Sequence, residues 1–143
     1  MRICIAGLGA VGGFIGARLA ASGQPVSALA RGATLEVVTR SGLTLVESTS
    51  EGQRETTVPV RAAHDAAELG EQDLVVLSVK TTGLAEIAPR LAPLIGPDTV
   101  VLSAMNGVPW WFFDGLDEAL AAREWPSIDP GQRIRQALPP GKV

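Results

Sequence analysis

The chain has 143 residues, a formal net charge of −3, a pI near 5.1 and 46% apolar residues. That length holds one compact domain with a real core, and a mean hydropathy of +0.24 excludes a disordered chain. The mild acidity argues against a nucleic-acid surface, and the lone cysteine, Cys4, excludes a disulfide framework and suits a cytoplasmic setting.

Residues 2–6 read as a short buried strand, and Gly7, Gly9 and Gly12 follow at G-x-G-x-x-G spacing before an alanine-rich helical pattern. Gly7 suits the tight turn out of the strand, Gly9 a close approach of a pyrophosphate, and Gly12 close packing of helix on sheet. The helix would aim its unpaired N–H groups and positive dipole end at the phosphates. Val11, Ile15 and Leu19 recur at helical spacing as an apolar stripe, with Gly12, Gly16 and Ala20 as a smooth ridge beside it. Arg2 before an apolar run resembles a signal peptide, but the glycines and Arg18 suit a turn and helix better. No run of about eighteen apolar residues exists, so no membrane span is expected.

Gly23 ends this helix, and Val26 to Ala30 read as the next parallel strand of a βαβ unit. An NAD site usually places an acid about twenty residues past the last glycine, on the ribose 2′-hydroxyl. Here the strand ends in Arg31, which suits a 2′-phosphate, so NADP is preferred to NAD; the alternative is a plain solvated arginine. A short helix is expected over 33–40. The runs 43–47 and 55–60 read as an inserted or edge hairpin joined by a polar loop over 48–54. His64 and Asp65 are assigned a surface or capping role, and a short helix is expected over 66–69.

Leu74 to Val79 form a continuous apolar run that suits a parallel strand covered on both faces. Lys80 ends it, a helix is expected to about Leu91, and the Gly96-Pro97-Asp98 turn leads to a further strand over 99–104. Met105-Asn106-Gly107 closes that strand. In an open parallel sheet all strand C-termini share one edge, where ligands bind. Gly7 to Gly12, Arg31, Lys80 and Asn106 therefore converge there. Lys80 offers charge to cofactor phosphate or the nicotinamide half, against a snorkelling surface lysine. Asn106 offers an amide to a carboxamide, a ribose hydroxyl or a substrate carbonyl, against a plain Asn-Gly turn. The expected fold is α/β, a Rossmann-like, doubly wound, mostly parallel sheet with helices on both faces.

The first strand and glycine loop, Ala30-Arg31-Gly32, Val79-Lys80 and Asn106-Gly107-Val108 together resemble the N-terminal domain of the ketopantoate reductase (2-dehydropantoate 2-reductase) family, over most of residues 1–113. The resemblance implies NADPH held by Gly7, Leu8, Gly9, Ala10, Val11 and Gly12, with Arg31 on the 2′-phosphate. It also implies Lys80 on the cofactor and Asn106 on both cofactor and a small 2-oxo acid substrate. Met105 departs from the glutamine that many members carry there. No metal is expected, and a homodimer stays open.

Val108 to Phe113 form the densest aromatic cluster, read as a core or interdomain plug in preference to a substrate wall. The expected organisation is a dinucleotide-binding domain over 1–124, then a linker or the start of a strand over 125–143. Family members continue into a helical substrate domain carrying a catalytic lysine and glutamate, which lies outside this chain. The expected reaction is NADPH-dependent reduction of 2-dehydropantoate in the pantothenate route, with this chain as the cofactor half and little turnover by itself. The alternatives are a non-catalytic NADP-binding module and a dehydrogenase of the β-hydroxyacid type.

Overall fold

A computed structural model describes residues 1–143. Five parallel strands make the central sheet. In chain order they are β1 (Ile3–Ala6), β2 (Val26–Leu29), β5 (Arg61–Ala63), β6 (Gln72–Leu77) and β7 (Ile95–Ser103), arranged β5-β2-β1-β6-β7. The missing numbers belong to a separate antiparallel hairpin, β3 (Leu43–Thr49) and β4 (Gly52–Val58). The mostly parallel, doubly wound architecture expected from the sequence is present.

Alternation along β1 shows why the sheet needs cover on both sides. Ile3 and Ile5 face one layer, and Cys4 and Ala6 the other, all fully buried. The first layer holds α1 (Ala10–Ala21), Val38 of α2 (Gly32–Ser41) and Val58 of the hairpin. The opposite layer holds α3 (Thr81–Ile87) and the 3-10 segment Ala88–Leu94, which supply Leu84, Ala88, Leu91 and Leu94. Burial among these side chains pushes the Cys4 thiol up to about 11, which leaves it an inert apolar filler. Asp73 fixes the start of β6 to β1. Its carboxylate accepts from the Arg2 backbone N–H at 2.6 Å and pairs with the Arg2 guanidinium, and both hold it below its usual range.

The helix α1 departs from the expected apolar stripe. Gly12, Gly16 and Ala17 form the buried face, Ile15 and Leu19 flank it, and Val11 is 53% exposed. The small residues win because the helix axis lies too close to β1 for larger ones. A Cβ on Gly12 would collide with the Gly7 carbonyl oxygen and Ser78 Oγ, and one on Gly16 would press on Ile5 at 3.1 Å.

Other elements shift for identifiable reasons. The polar loop expected over 48–54 shrinks to a turn at Ser50-Glu51, because the end of a solvated two-stranded ribbon has no apolar side to read. That hairpin lies on α1, where Arg18 Nη1 meets Glu47 at 3.1 Å, and it forms no edge of the main sheet. Strand β5 was not expected: Arg61-Ala62-Ala63 carries no strand pattern and is held only by its ladder with β2. Helix α3 stops at Ile87, because Pro89 and Pro93 lack donors and the chain tightens to a 3-10 path through Leu94. The short element at 66–69 is likewise a 3-10 turn, Ala66–Glu68, capped by Asp65. Strand β7 starts before the Gly96-Pro97-Asp98 turn, which is absorbed as an irregularity: Ile95 pairs with Gln72 and Val100 with Leu74. Thr99 Oγ1 stabilises it by donating to the Gln72 carbonyl at 2.6 Å.

Residues 125–143 form neither linker nor strand. After α4 (Glu118–Ala122) they fold into α5 (Arg133–Ala137) between two 3-10 turns, and they bury Ile134 and Leu138 completely in the α3 layer. Asp129 caps α5 by accepting from Ile134 N and Arg135 N, at 2.8 and 2.9 Å. Arg135 pairs bidentately with Asp114, at 2.8 and 2.7 Å, and that bond holds its guanidinium above the usual arginine range. From the aromatic cluster, Trp110 is buried and donates to the Leu138 carbonyl at 3.0 Å. At the far side of the sheet, β7 has no outer partner, and Val100 and Leu102 face solvent at 55% and 49% exposure. Lys142 covers only its beginning, donating to Gly96 O at 3.2 Å and to Pro97 O. No helix is long and apolar enough to cross a membrane.

Two substitutions test this packing. Gly12→Ala is expected to cost at least about 1–3 kcal/mol, because backbone lies where the methyl would go. Leu138→Ala is expected to cost about 2–5 kcal/mol, because the site is core. Urea unfolding of each variant measures both; a Leu138→Ala midpoint equal to wild type would show the tail to be dispensable.

Candidate functional site

The carboxyl edge of the sheet carries a cleft of about 500 Å³. Gly7, Leu8 and Gly9 from β1 line it with Ala30 and Arg31 from β2, and Ser78 to Lys80 from β6 form its other side. The strand order alone dictates this grouping, since β2, β1 and β6 are neighbours and all end on one edge.

Each glycine has a distinct job. Gly7 adopts φ +104°, a left-handed conformation that side chains rarely take, and a Cβ there would sit 2.8 Å from Val79 Cγ1. Its carbonyl accepts from Ser78 Oγ at 2.7 Å, so β6 holds the loop in place. Gly9 is the N-cap of α1, in extended conformation, and a Cβ on it would meet nothing within 4 Å. The space above Gly9 is open, whereas the space above Gly12 is filled by protein. Gly12 therefore serves packing and does not line the cleft.

Ala10 and Val11 open α1 on the exposed side; they contribute N-terminal backbone N–H groups, and their side chains do not line the cleft. No acidic residue and no side-chain cap occupies the first turn of α1, so those donors are free for an anion. The same holds at α2, where Arg31 is the N-cap and Thr34 lines the cleft. Lys80 is the N-cap of α3 and exposed. Neither Arg31 nor Lys80 enters an ion pair; all three ion pairs of the chain lie elsewhere.

Asn106 is not in this cleft. It lines a smaller pocket of about 100 Å³ with Thr81, Ser103, Met105 and Trp111, beyond the ends of β6 and β7. Thr81, next to Lys80, joins the two along the rim. The cleft also holds residues that sequence reasoning did not place there: His64, Asp65, Thr82, Glu86 and Arg90. Strand β5 brings the first two, and it carried no signal. Asp65 does act as a cap, its carboxylate accepting from Ala67 N at 3.0 Å. His64 Nε2 instead accepts from Arg90 Nη2 at 3.2 Å. No group of His, Cys, Asp or Glu is arranged to hold a metal ion.

The arrangement suits an elongated anion, with a diphosphate over α1, an extra negative group near Arg31 and α2, and a polar end group near Lys80 and Asn106. The 2-dehydropantoate 2-reductase of Mesorhizobium japonicum is 44% identical over 144 residues, spanning all of this chain and 43% of that protein. A crystal structure from Ralstonia solanacearum MolK2, provisionally named a ketopantoate reductase, superposes with a TM-score of 0.91 at 53% identity, over 99% of this chain and 43% of the other. A D-mandelate dehydrogenase solved with NADH and anilino(oxo)acetate is more distant, with a TM-score of 0.60 and 28% identity over 76% of this chain and 34% of that one. The chain thus spans less than half the length of these relatives. Residues 3–110 match the family model described as ketopantoate reductase PanE/ApbA, and the chain belongs to that family.

Proposed function

We propose that this chain binds NADP(H) and serves the NADPH-dependent reduction of a small 2-oxo acid, with 2-dehydropantoate reduced to pantoate as the leading case. One observation carries the reading: an unpaired guanidinium, Arg31, stands at the open N-terminus of α2 beside the glycine loop. The family and the names of its close relatives support the reaction, and the mandelate enzyme's oxo-acid ligand supports the substrate class.

When bound, the reduced nicotinamide supplies the hydride that turns a ketone into an alcohol. The chain's own residues bind and orient. In this reading Gly7, Leu8 and Gly9 leave room for the diphosphate, and the N–H groups of Ala10 and Val11 face it. Arg31 holds the 2′-phosphate through charge-assisted bonds. Lys80 adds positive charge where the coenzyme crosses β6. Asn106, in the small pocket at the end of β7, offers its amide to the carboxamide or to the substrate carbonyl. Met105 beside it shapes that pocket with a flexible apolar side chain. Residues 1–124 carry the dinucleotide unit, 125–143 complete its core, and a helical substrate domain supplies the proton that completes the alcohol.

Titration calorimetry with NADP and NAD tests the assignment. Arg31→Ala is expected to weaken NADP about ten- to hundred-fold and NAD little, from charge-assisted bonds of ~1.5–3 kcal/mol. Equal losses for both coenzymes would remove Arg31 from the 2′-phosphate. Gly9→Ala is expected to keep the unfolding free energy within about 1 kcal/mol of wild type while abolishing measurable binding of either coenzyme, because its methyl enters open space. Unchanged binding in that variant would contradict a diphosphate over Gly9.

A further inference from the structure

The adenosine end of the cleft holds a second guanidinium. Strand β5 lies outside β2, so His64 and Asp65 stand beyond Arg31 along the same edge. Arg90 reaches this corner from the 3-10 segment after α3, and its Nη2 donates to His64 Nε2 at 3.2 Å. That bond spans two elements: it ties the end of β5 to the 3-10 segment after α3.

Arg90 has carboxylates nearby and pairs with neither. Glu86 precedes it by four residues, the spacing that forms ion pairs on an α-helix. The α-helix ends at Ile87, however, and the tighter 3-10 path turns Arg90 off that row. Asp65 is committed to its own turn, accepting from Ala67 N. Arg90 is thus absent from the ion pairs of the chain, as Arg31 and Lys80 are. A guanidinium has five N–H donors, and an imidazole nitrogen takes one while contributing no negative charge. The remaining donors and the whole charge stay available at the mouth of the cleft.

Arg31 and Arg90 line one cleft, with Asp65 and Glu86 on its rim, and neither guanidinium enters an ion pair, so both attract an anion placed between them. The occupant that fits is a phosphate ester on the adenosine ribose, whose three oxygens accept from both sides. We propose that Arg90, oriented by His64, is a specificity-determining residue that shares the 2′-phosphate with Arg31 and sets the preference for the phosphorylated dinucleotide. This assignment rests on the coenzyme reading of the cleft.

Small probes separate the two ideas. Adenosine 2′,5′-bisphosphate carries the phosphate in question, and adenosine 5′-monophosphate lacks it; calorimetry measures both on the 143-residue chain. Arg90→Ala is expected to weaken the bisphosphate at least tenfold and the monophosphate less than twofold. Arg90→Lys keeps the charge and is expected to recover part of the loss. His64→Gln keeps an acceptor for Arg90 and is expected to bind like wild type, whereas His64→Ala loses several-fold on the bisphosphate alone. Circular dichroism on each variant confirms the fold, and Arg90→Gln serves in place of Arg90→Ala should the latter fail to fold. Wild-type discrimination that survives in Arg90→Ala, or equal losses on both probes, overturns the role of Arg90 and leaves the coenzyme reading standing. A folded wild type that binds neither probe overturns both.

Discussion

The fold and its cleft depend on one close approach: α1 lies against the β1–α1 turn with no side chain between them. Gly12 allows it, since a single methyl would strike the Gly7 carbonyl and Ser78 Oγ. Ser78 then converts proximity into order by donating to that same carbonyl, so the turn is held from the neighbouring strand β6. Because the turn is fixed, the space where a Gly9 side chain would stand is open, while the N–H groups of α1 face the open edge. Packing of the helix and shape of the glycine loop are a single constraint seen from its two sides.

Charge is distributed in the complementary way. The ion pairs of the chain tie scaffold elements together: Arg2 to Asp73 at the strand starts, Arg18 to Glu47 under the hairpin, Arg135 to Asp114 in the tail. Along the cleft the basic groups Arg31, Lys80 and Arg90 have no such partners. The arginines that brace the scaffold are not the ones that line the cleft. The free cations cost some mutual repulsion, which a polyanion in the cleft would offset, and helix N-termini without acidic residues add to the same field.

The sequence was legible where backbone demands leave only one residue type. Gly7 and Gly12 announced the turn and the packing, and the continuous apolar runs announced the parallel strands. It misled where tertiary packing overrode a local pattern: Val11 follows helical spacing yet faces solvent, because the glycine ridge took the buried side. Strand β5 was silent, since three residues held only by a ladder carry no periodicity, and with it went the cleft positions of His64 and Asp65. The tail was misread for a similar reason. Its prolines and glycines suggested a linker, whereas two side chains, Ile134 and Leu138, anchor it in the core. Asn106 was placed on the correct edge, but the sequence did not reveal that it belongs to a neighbouring pocket.

The unpartnered rim of β7 has a practical meaning. Its opposite number, β5, is three residues long and begins with an arginine, a poor template for a foreign strand. Strand β7 offers a longer ladder of unmet backbone groups beside the aliphatic side chains of Val100 and Leu102, and only Pro97, Asp98 and the Lys142 ammonium interrupt it near its start. Exposed edges of this kind nucleate intermolecular β-pairing. A lysine placed at position 100 or 102 would set a charge on this border, the device by which sheet edges discourage such pairing.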